Sequence, residues 1–420
     1  MMNARSIQKY VLLSLVGCAA MITTGYAQKI ATFEVQLPNS SGSLLSMPVK
    51  INIDAVTFLP HSSLSLVEVQ GNQKIPIALQ IENDGVRTLN WIVGAGNTKK
   101  RLFELTKVAK SDNPDNVFAN TAEGMLTIQS GSKNLLRYYF KALDPPAGVD
   151  PSYKRSGFIH PLWSPHGQVL TRIQPKDHYH HYGIWNPWTH VLYEGDTIDF
   201  WNIGDKKGTV RFANFVSTFS GPVFSEYQAL HEHVVFKKDK TEKVALNELQ
   251  SVRVYQPQRE DYYIVDITST MNCATNSPVL LLEYRYGGLG WRTTEQWNNK
   301  NSEVLSSEGK NRKDADGTTA RWCIVQGEVD NDYAGVVMMS YPTNYNYPEP
   351  LRIWPENQYD RGDMFANFSP TKNKDWLLEP GKTYTLKYRL LVFNGHFTKE
   401  KAESAWQNFA HLPAVTIKKY

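Results

Sequence analysis

Six of the 11 histidines in this 420-residue chain lie within residues 160–190. Three of them, His178, His180 and His181, follow Asp177 within five positions. An imidazole titrates near neutral pH, so such a cluster can transfer protons, donate hydrogen bonds to hydroxyl groups or bind a metal ion. In an extended segment, His178 and His180 point to one face and His181 to the other.

Three interpretations of the histidine cluster follow. In the first, His178 and His181, together with Asp177 or Asp199 and with Arg172, line a sugar pocket and act in proton transfer or hydroxyl binding. In the second, two or three imidazoles bind zinc, copper or iron. In the third, the histidines bridge packed strands and have no role in chemistry.

A second concentration of polar residues surrounds the glycine-rich turn at residues 287–290. Glu283 precedes the turn, and Glu295 follows it. Glycosidic cleavage commonly uses two carboxyl groups on either side of the bond, so these two are candidates for acid, base or hydroxyl anchor. The alternative is that Glu283 pairs with Arg285 or Arg292 and holds the turn.

Composition narrows the classes of function. The chain has 11 Trp and 22 Tyr, whose rings offer an apolar face and a polar edge suited to sugars, although strand faces also favour them. The net charge is only +4, and the basic residues are scattered, so a nucleic-acid-binding protein is not indicated. The chain contains no Gly-x-Ser-x-Gly and no His-Glu-x-x-His, which disfavours serine hydrolase and zincin chemistry.

The amino terminus has the pattern of an export signal. Arg5 and Lys9 precede an apolar run that is too short to span a bilayer and that ends in small residues. We predict that residues 1–27 form a signal peptide and that the protein is periplasmic or secreted, with no integral membrane segment after the signal is removed. The alternative is a lipoprotein attached through Cys18.

Hydrophobic periodicity predicts an all-β protein. Short alternating segments in residues 28–115 indicate a small N-terminal β-sandwich. After a polar linker at 111–120, a dozen or more predicted strands in residues 120–415 indicate a large antiparallel sandwich. Helical periodicity is confined to a short C-terminal helix over residues 399–409.

The polar segment from residue 158 to residue 201 resembles the signature of a secreted family often labelled "methane oxygenase PmoA". The resemblance covers roughly residues 125–415 and implies a galactose-mutarotase-like β-supersandwich that works in polysaccharide utilisation. The matching positions are Phe158, His160, Pro161, Leu162, Gly167, Val169, Thr171, Arg172, Asp177, His178, His180, His181, Gly183, Trp185, Asp199, Phe200 and Trp201.

The sequence therefore predicts an exported carbohydrate-active protein that cleaves or rearranges a glycoside of an oligosaccharide or polysaccharide. The alternatives are a non-catalytic glycan-binding protein and a metal-dependent oxidoreductase. We predict no cofactor, with a transition metal at the three histidines as the alternative. The predicted catalytic residues are His178, His181 and Glu283. The predicted substrate-binding residues are Arg172, Asp177, His180, Trp185, Asp199, Trp201, Arg292 and Glu295.

Overall fold

A computed structural model describes residues 28–38, 45–111, 114 and 116–420. The predicted signal peptide and Cys18 lie outside the described residues. The described part of the chain is folded almost entirely into antiparallel sheets, and the prediction of an all-β protein is confirmed. Its strands are numbered β1 to β29 in chain order.

The N-terminal part forms a small sandwich of a five-stranded and a three-stranded sheet. Its core contains Phe33, Leu66, Trp91 and Phe103, all of which are buried. The five-stranded sheet, in spatial order, consists of β29 (Ala414–Lys419), β1 (Gln28–Gln36), β7 (Lys100–Lys107), β3 (Leu64–Gln70) and β4 (Gln73–Ile77). The three-stranded sheet consists of β2 (Met47–Asn52), β6 (Arg87–Val93) and β5 (Leu79–Asn83).

The larger part is built on a nine-stranded and an eight-stranded sheet, whose inward residues share one core. The nine-stranded sheet consists of β22 (Thr319–Ala320), β25 (Glu349–Ile353), β26 (Phe365–Phe368), β20 (Gly290–Arg292), β12 (Ile184–Trp185), β11 (Phe158–Leu162), β10 (Lys133–Tyr139), β9 (Met125–Ser130) and β8 (Val117–Ala122). The eight-stranded sheet consists of β15 (Gly208–Phe219), β16 (Phe224–Phe236), β17 (Glu242–Tyr255), β18 (Tyr262–Cys273), β28 (Tyr384–Asn394), β24 (Asp332–Ser340), β23 (Trp322–Val329) and β21 (Ser302–Ser306).

Smaller elements complete the larger part. One helix, α1 (Lys399–Ala410), packs four apolar side chains, Ala402, Ala405, Trp406 and Phe409, against β23 and its neighbours, which confirms the predicted C-terminal helix. A four-stranded sheet consists of β14 (Asp196–Ile198), β13 (Val191–Tyr193), β19 (Val279–Leu281) and β27 (Trp376–Leu378). Single 3-10 turns lie at His61–Ser63, Pro151–Tyr153 and Ile203–Asp205.

Two features of the chain path differ from what the sequence pattern suggests. After α1 the chain returns to the N-terminal sandwich, where β29 pairs antiparallel with β1 at the sheet edge. Within the predicted linker, the chain already belongs to the nine-stranded sheet from Val117 onward, where β8 begins. The predicted domain limits themselves stay a prediction.

None of the helices in the described part of the chain has the length and the hydropathy that crossing a membrane requires. The sequence leaves open whether Cys273 and Cys323 form a disulfide. In the structure both are free thiols, and both are buried.

The buried carboxyl group of Glu349, on β25, makes stability depend on pH. Glu349 is 0% exposed and accepts hydrogen bonds from Ser340, Asn344 and Tyr388. Burial raises its pKa to about 7, and the three hydrogen bonds only partly offset this effect. The native state therefore holds this proton more tightly than the unfolded state. The resulting stability is fully present below the ordinary pKa and is lost as the pH rises towards about 7.

We expect a Glu349→Gln variant to lack this dependence. Between pH 5 and pH 8 the wild type should lose about 3 kcal/mol of unfolding free energy relative to the variant, because one pKa unit corresponds to about 1.4 kcal/mol. Urea unfolding of both proteins at several pH values measures the difference. Parallel pH profiles for the two proteins would contradict the prediction.

Candidate active site

The candidate site lies on the face of the nine-stranded sheet that points away from the main core. Because side chains alternate along a strand, each strand of this sheet contributes to both faces. On β12, Ile184 enters the main core, while Trp185 joins a separate aromatic cluster on the opposite face. On β20, Trp291 is in the core and the next residue is Arg292. On β25, Arg352 faces the site.

A tight turn brings the three histidines together. The His178 N–H donates to the Pro175 carbonyl at 2.9 Å, and the His181 N–H donates to the His178 carbonyl at 3.0 Å. The segment is therefore not extended, and the separation of His181 from the other two rings that an extended segment would impose does not apply. One ring nitrogen from each of His178, His180 and His181 lies within 4.8 Å of the other two.

Gly183 lets the chain leave this turn and enter β12. Its φ is +57°, and a Cβ atom at this position would lie 2.2 Å from the Ile159 carbonyl oxygen. Any other residue would push the turn away from β11. Glycine, which has no Cβ atom, permits both this positive φ and the close approach of the two backbones.

The histidine turn forms one wall of a cavity of about 320 Å³. This volume is near the lower end of the roughly 300–1,000 Å³ typical of small-molecule sites. Five of the predicted site residues line the cavity: His178, His180, His181, Asp199 and Trp201. Eight further lining residues were not predicted: Thr189, Asn202, Tyr284, Arg285, Tyr286, Arg352, Gln358 and Tyr359.

Behind the cavity wall, a chain of charged groups orients His178. The Asp177 carboxylate contacts His178 Nδ1 at 2.8 Å and Arg292 Nη2 at 3.1 Å. Arg292 is only 1% exposed and also donates to Asp363 at 2.6 Å. Arg172 lies 3.6 Å from the same Asp363 oxygen. Asp177, Arg172 and Arg292 are thus placed to position His178, and they do not line the cavity.

Burial controls the charge state of the cluster. It lowers the pKa of His180 to about 3, with the nearby His178, Arg155 and Arg292 adding to the effect. Burial also lowers the pKa of His181 well below its ordinary value. Both imidazoles are therefore neutral near pH 7 and cannot donate a proton as imidazolium there. For Asp177, the His178 hydrogen bond and Arg292 overcome the opposing effect of burial and hold the pKa below its ordinary range.

Asp199 is the carboxyl group that lines the cavity. Its Oδ1 accepts the backbone N–H groups of Trp201 and Asn202, each at 2.8 Å. Burial nevertheless raises the pKa of Asp199 above its ordinary value. A carboxyl group shifted in this direction retains its proton to higher pH than usual, which suits a proton donor.

Polar contacts hold the aromatic wall of the cavity in place. The Tyr286 hydroxyl accepts hydrogen bonds from Arg352 and from the Trp354 indole, both at 3.0 Å. The Tyr286 carbonyl accepts from the Thr189 hydroxyl at 2.6 Å. Trp201 packs 5.6 Å from the Tyr286 ring, measured between centroids. These contacts fix the rings before any ligand binds.

Three predicted residues lie elsewhere. The structure does not bring Glu283 to the histidines: it is exposed, its backbone N–H donates to Asp375, and it does not line the cavity. Glu295 is also exposed and lies 3.5 Å from Arg172, in a separate groove of about 450 Å³. Trp185 is buried behind Trp201, with ring centroids 4.9 Å apart, and supports the wall from inside.

For three of the lining residues that were not predicted, the sequence did contain a signal. Tyr284, Arg285 and Tyr286 belong to the polar concentration that begins at Glu283, and the chain alone could not show which of these side chains face the histidines. Gln358 and Tyr359 lie in a loop after β25 for which no pattern in the sequence indicated a site.

Residues 125–407 match the model of a family of unknown function, DUF6807. This range falls within the part of the chain that resembles the PmoA-labelled family, and membership of that family stays a prediction. No curated protein shows a significant match.

Solved structures give low-scoring similarities. An α-mannosidase from Enterococcus faecalis V583 has a TM-score of 0.45 and 10% identity over 94% of this chain. A glycosyl hydrolase family 38 protein from Enterococcus faecalis has a TM-score of 0.44 and 8% identity over 93% of this chain. The chain spans 47% of the length of each of these two proteins. A galactose mutarotase related enzyme from Lactobacillus acidophilus, 98% covered, has a TM-score of 0.27 and 11% identity over 67% of this chain.

Proposed function

The chain belongs to the family of unknown function DUF6807, and we propose that it is an exported carbohydrate-active enzyme that cleaves or rearranges a glycoside in the histidine-lined cavity. The observation that carries this proposal is the lining of the cavity. Rings of Trp201, Tyr284, Tyr286 and Tyr359 stand beside side chains that can bond hydroxyl groups. A sugar presents both C–H faces and hydroxyl groups, so it matches both kinds of wall.

The polar groups that line the cavity have two proposed roles, binding the sugar and transferring protons. Asn202, Gln358 and Arg352 line the cavity where they can bond sugar hydroxyls. Asp199, with its raised pKa, replaces Glu283 as the carboxyl group proposed to donate a proton. His178, oriented by Asp177, is proposed to accept one.

His180 and His181 are neutral, so their proposed role is to accept hydrogen bonds from the sugar or to coordinate an ion.

Export is part of the same proposal and has its own test. Mass spectrometry of the protein purified from the periplasm or medium should show a chain that begins at Gln28. A retained amino terminus would contradict the proposed cleavage site, and a lipid-modified chain beginning at Cys18 would support the lipoprotein alternative.

Activity is tested by incubating the purified protein with a panel of plant and animal glycans and analysing the products. We expect the wild type to alter at least one glycan and the His178→Ala variant to be slower by about 100-fold or more, because a positioned group that transfers a proton in the transition state contributes roughly 10²–10⁴ in rate. Asp199→Asn should show a loss of similar size.

His166→Ala is the matched control, since this histidine is half-exposed and pairs with Asp332 away from the cavity. It should retain wild-type activity. If the wild type binds a glycan and leaves it unchanged, the protein is a glycan-binding protein and the enzyme proposal is wrong. If it neither binds nor alters any glycan, the carbohydrate proposal is wrong as well.

A further inference from the structure

The three imidazoles of the cavity wall lie closer together than the binding of sugar hydroxyl groups requires. The ring centroids of His178 and His181 are 4.5 Å apart, and those of His180 and His181 are 4.7 Å apart. One nitrogen from each ring lies within 4.8 Å of the other two. Three imidazole nitrogens this close together are a common ligand set for zinc and related metals.

His181 provides a second, independent observation. Its side chain is 2% exposed, and its Nδ1 atom is buried with no hydrogen-bond partner among the residues that the structure describes. A buried polar atom without a partner costs roughly 1–3 kcal/mol, so most such atoms in proteins are paired. Trp185 and Phe365 pack against the His181 ring, at centroid distances of 5.2 and 5.4 Å, and neither one is hydrogen-bonded to this nitrogen.

His178 already has the outer contact that metal-bound histidines commonly have. Its Nδ1 lies 2.8 Å from Asp177, so the ring donates its Nδ1–H to the carboxylate and leaves the Nε2 lone pair free for a ligand. Arg292 and Asp363 fix this carboxylate from behind. Its Nε2 lies 3.1 Å from the hydroxyl of Tyr359, on an exposed side chain that a ligand can displace.

From this arrangement we propose that His178, His180 and His181 bind one divalent transition-metal ion of the zinc class, with its remaining coordination position open to the cavity. Three protein ligands and an open position are typical of catalytic zinc sites. Nitrogen ligands at about 2.0–2.1 Å from zinc stand about 3.3 Å apart, so the ring nitrogens would have to approach one another by at most about 1.5 Å on binding. His178 and His180 lie on a half-buried turn, where side-chain rotation supplies this movement.

Binding of the ion does not depend on the identity of the substrate. What the ion does there rests on the proposed function: it places positive charge next to an oxygen of the bound sugar and stabilises negative charge that develops on it. With the ion bound, His178 is a ligand and cannot also be the base, so metal binding would remove this one role from the proposed function and leave the role of Asp199 unchanged.

The test uses the full mature chain, stripped with a chelator, dialysed and then titrated with zinc chloride. We expect one zinc ion per chain by elemental analysis after gel filtration, and a rise in the midpoint of thermal unfolding. Cobalt(II) in place of zinc should give the visible absorption bands of a site with nitrogen ligands. His180→Ala should lose stoichiometric binding, and Asp177→Asn, which keeps all three ligands, should bind about 10–100-fold more weakly.

His166→Ala should bind zinc like the wild type, since it removes an imidazole outside the cluster. Circular dichroism shows whether each variant is folded, and Asp177→Asn serves if His180→Ala is not. The inference is overturned if the stripped wild type takes up no stoichiometric zinc, iron(II), manganese, nickel or copper, or if His180→Ala binds as the wild type does. A zinc-loaded protein that alters no glycan overturns the proposed function alone, and a glycan-processing protein that is free of metal overturns this inference alone.

Discussion

Replacing Glu248 by alanine is expected to lower the free energy of unfolding by about 3–5 kcal/mol, because several buried donors lose their acceptor and each such loss costs about 1–3 kcal/mol. Glu248, on β17, is 0% exposed. Its carboxylate accepts from Asn186 at 2.7 Å, from Ser269 at 2.6 Å and from His233 at 3.1 Å, and His231 lies 3.6 Å away. Alanine would leave all of these groups buried without their acceptor.

The charge states agree with this expectation. Hydrogen bonds from the two histidines overcome the effect of burial and hold the pKa of Glu248 below its ordinary value. Burial lowers the pKa of His233, so this ring is neutral and donates its Nε2–H to the carboxylate. Tyr138 contacts His231 Nε2 at 2.6 Å, which leaves the Nδ1–H of His231 facing Glu248.

Glu232→Ala is the matched control for this measurement. Glu232 lies on β16, is partly exposed and pairs with Arg211 at 3.0 Å. A surface pair of this kind contributes about 1 kcal/mol or less. Urea unfolding followed by tryptophan fluorescence should therefore separate the two variants by at least about 2 kcal/mol. Equal losses for Glu248→Ala and Glu232→Ala would show that the buried network does not stabilise the fold.

The strands of the large sheets could be predicted because their pattern is local. Tyr384 to Leu390 alternates apolar and polar residues, and β28 places Leu386, Tyr388 and Leu390 in the main core. The strand β29 has no such pattern: most of its side chains are exposed. It forms because its backbone pairs with β1, which lies at the other end of the chain. Local periodicity carries no information about a partner so far away in sequence.

The sequence predicted the part of the candidate site whose reactive residues lie close together in the chain. It missed the part whose residues come together only in the folded structure. The histidine cluster was recognised by composition, but its geometry depends on a turn that begins at Pro175. Proline and aspartate at 175 and 177 are turn-forming residues and were a usable signal. Pairing Glu283 with the histidines failed for a different reason. Whether a side chain before a glycine turn faces inward depends on its neighbours in space, and here the backbone N–H of Glu283 is held by Asp375, a residue far away in the chain.

The positioning network behind His178 gives the second large effect. Arg292→Met keeps most of the side-chain volume and removes the charge between Asp177 and Asp363. We expect a loss of about 3 kcal/mol in unfolding free energy, because two carboxylates lose a buried partner that also stacks on Trp354 at 4.5 Å. We expect this loss to be at the lower end of the range for buried pairs, because Arg172 still contacts Asp363 in the variant.

Arg361→Met is the control for Arg292→Met, because Arg361 pairs with the same Asp363 from an exposed position, and its removal should cost about 1 kcal/mol or less. A double-mutant cycle with Asp177→Asn separates the charge pair from lost packing. If Arg292 acts through Asp177, the double variant is more stable than the sum of the two single losses predicts, since the uncompensated carboxylate is gone. Strictly additive losses would mean that Arg292 stabilises the fold by packing on Trp354 and that His178 is oriented without it.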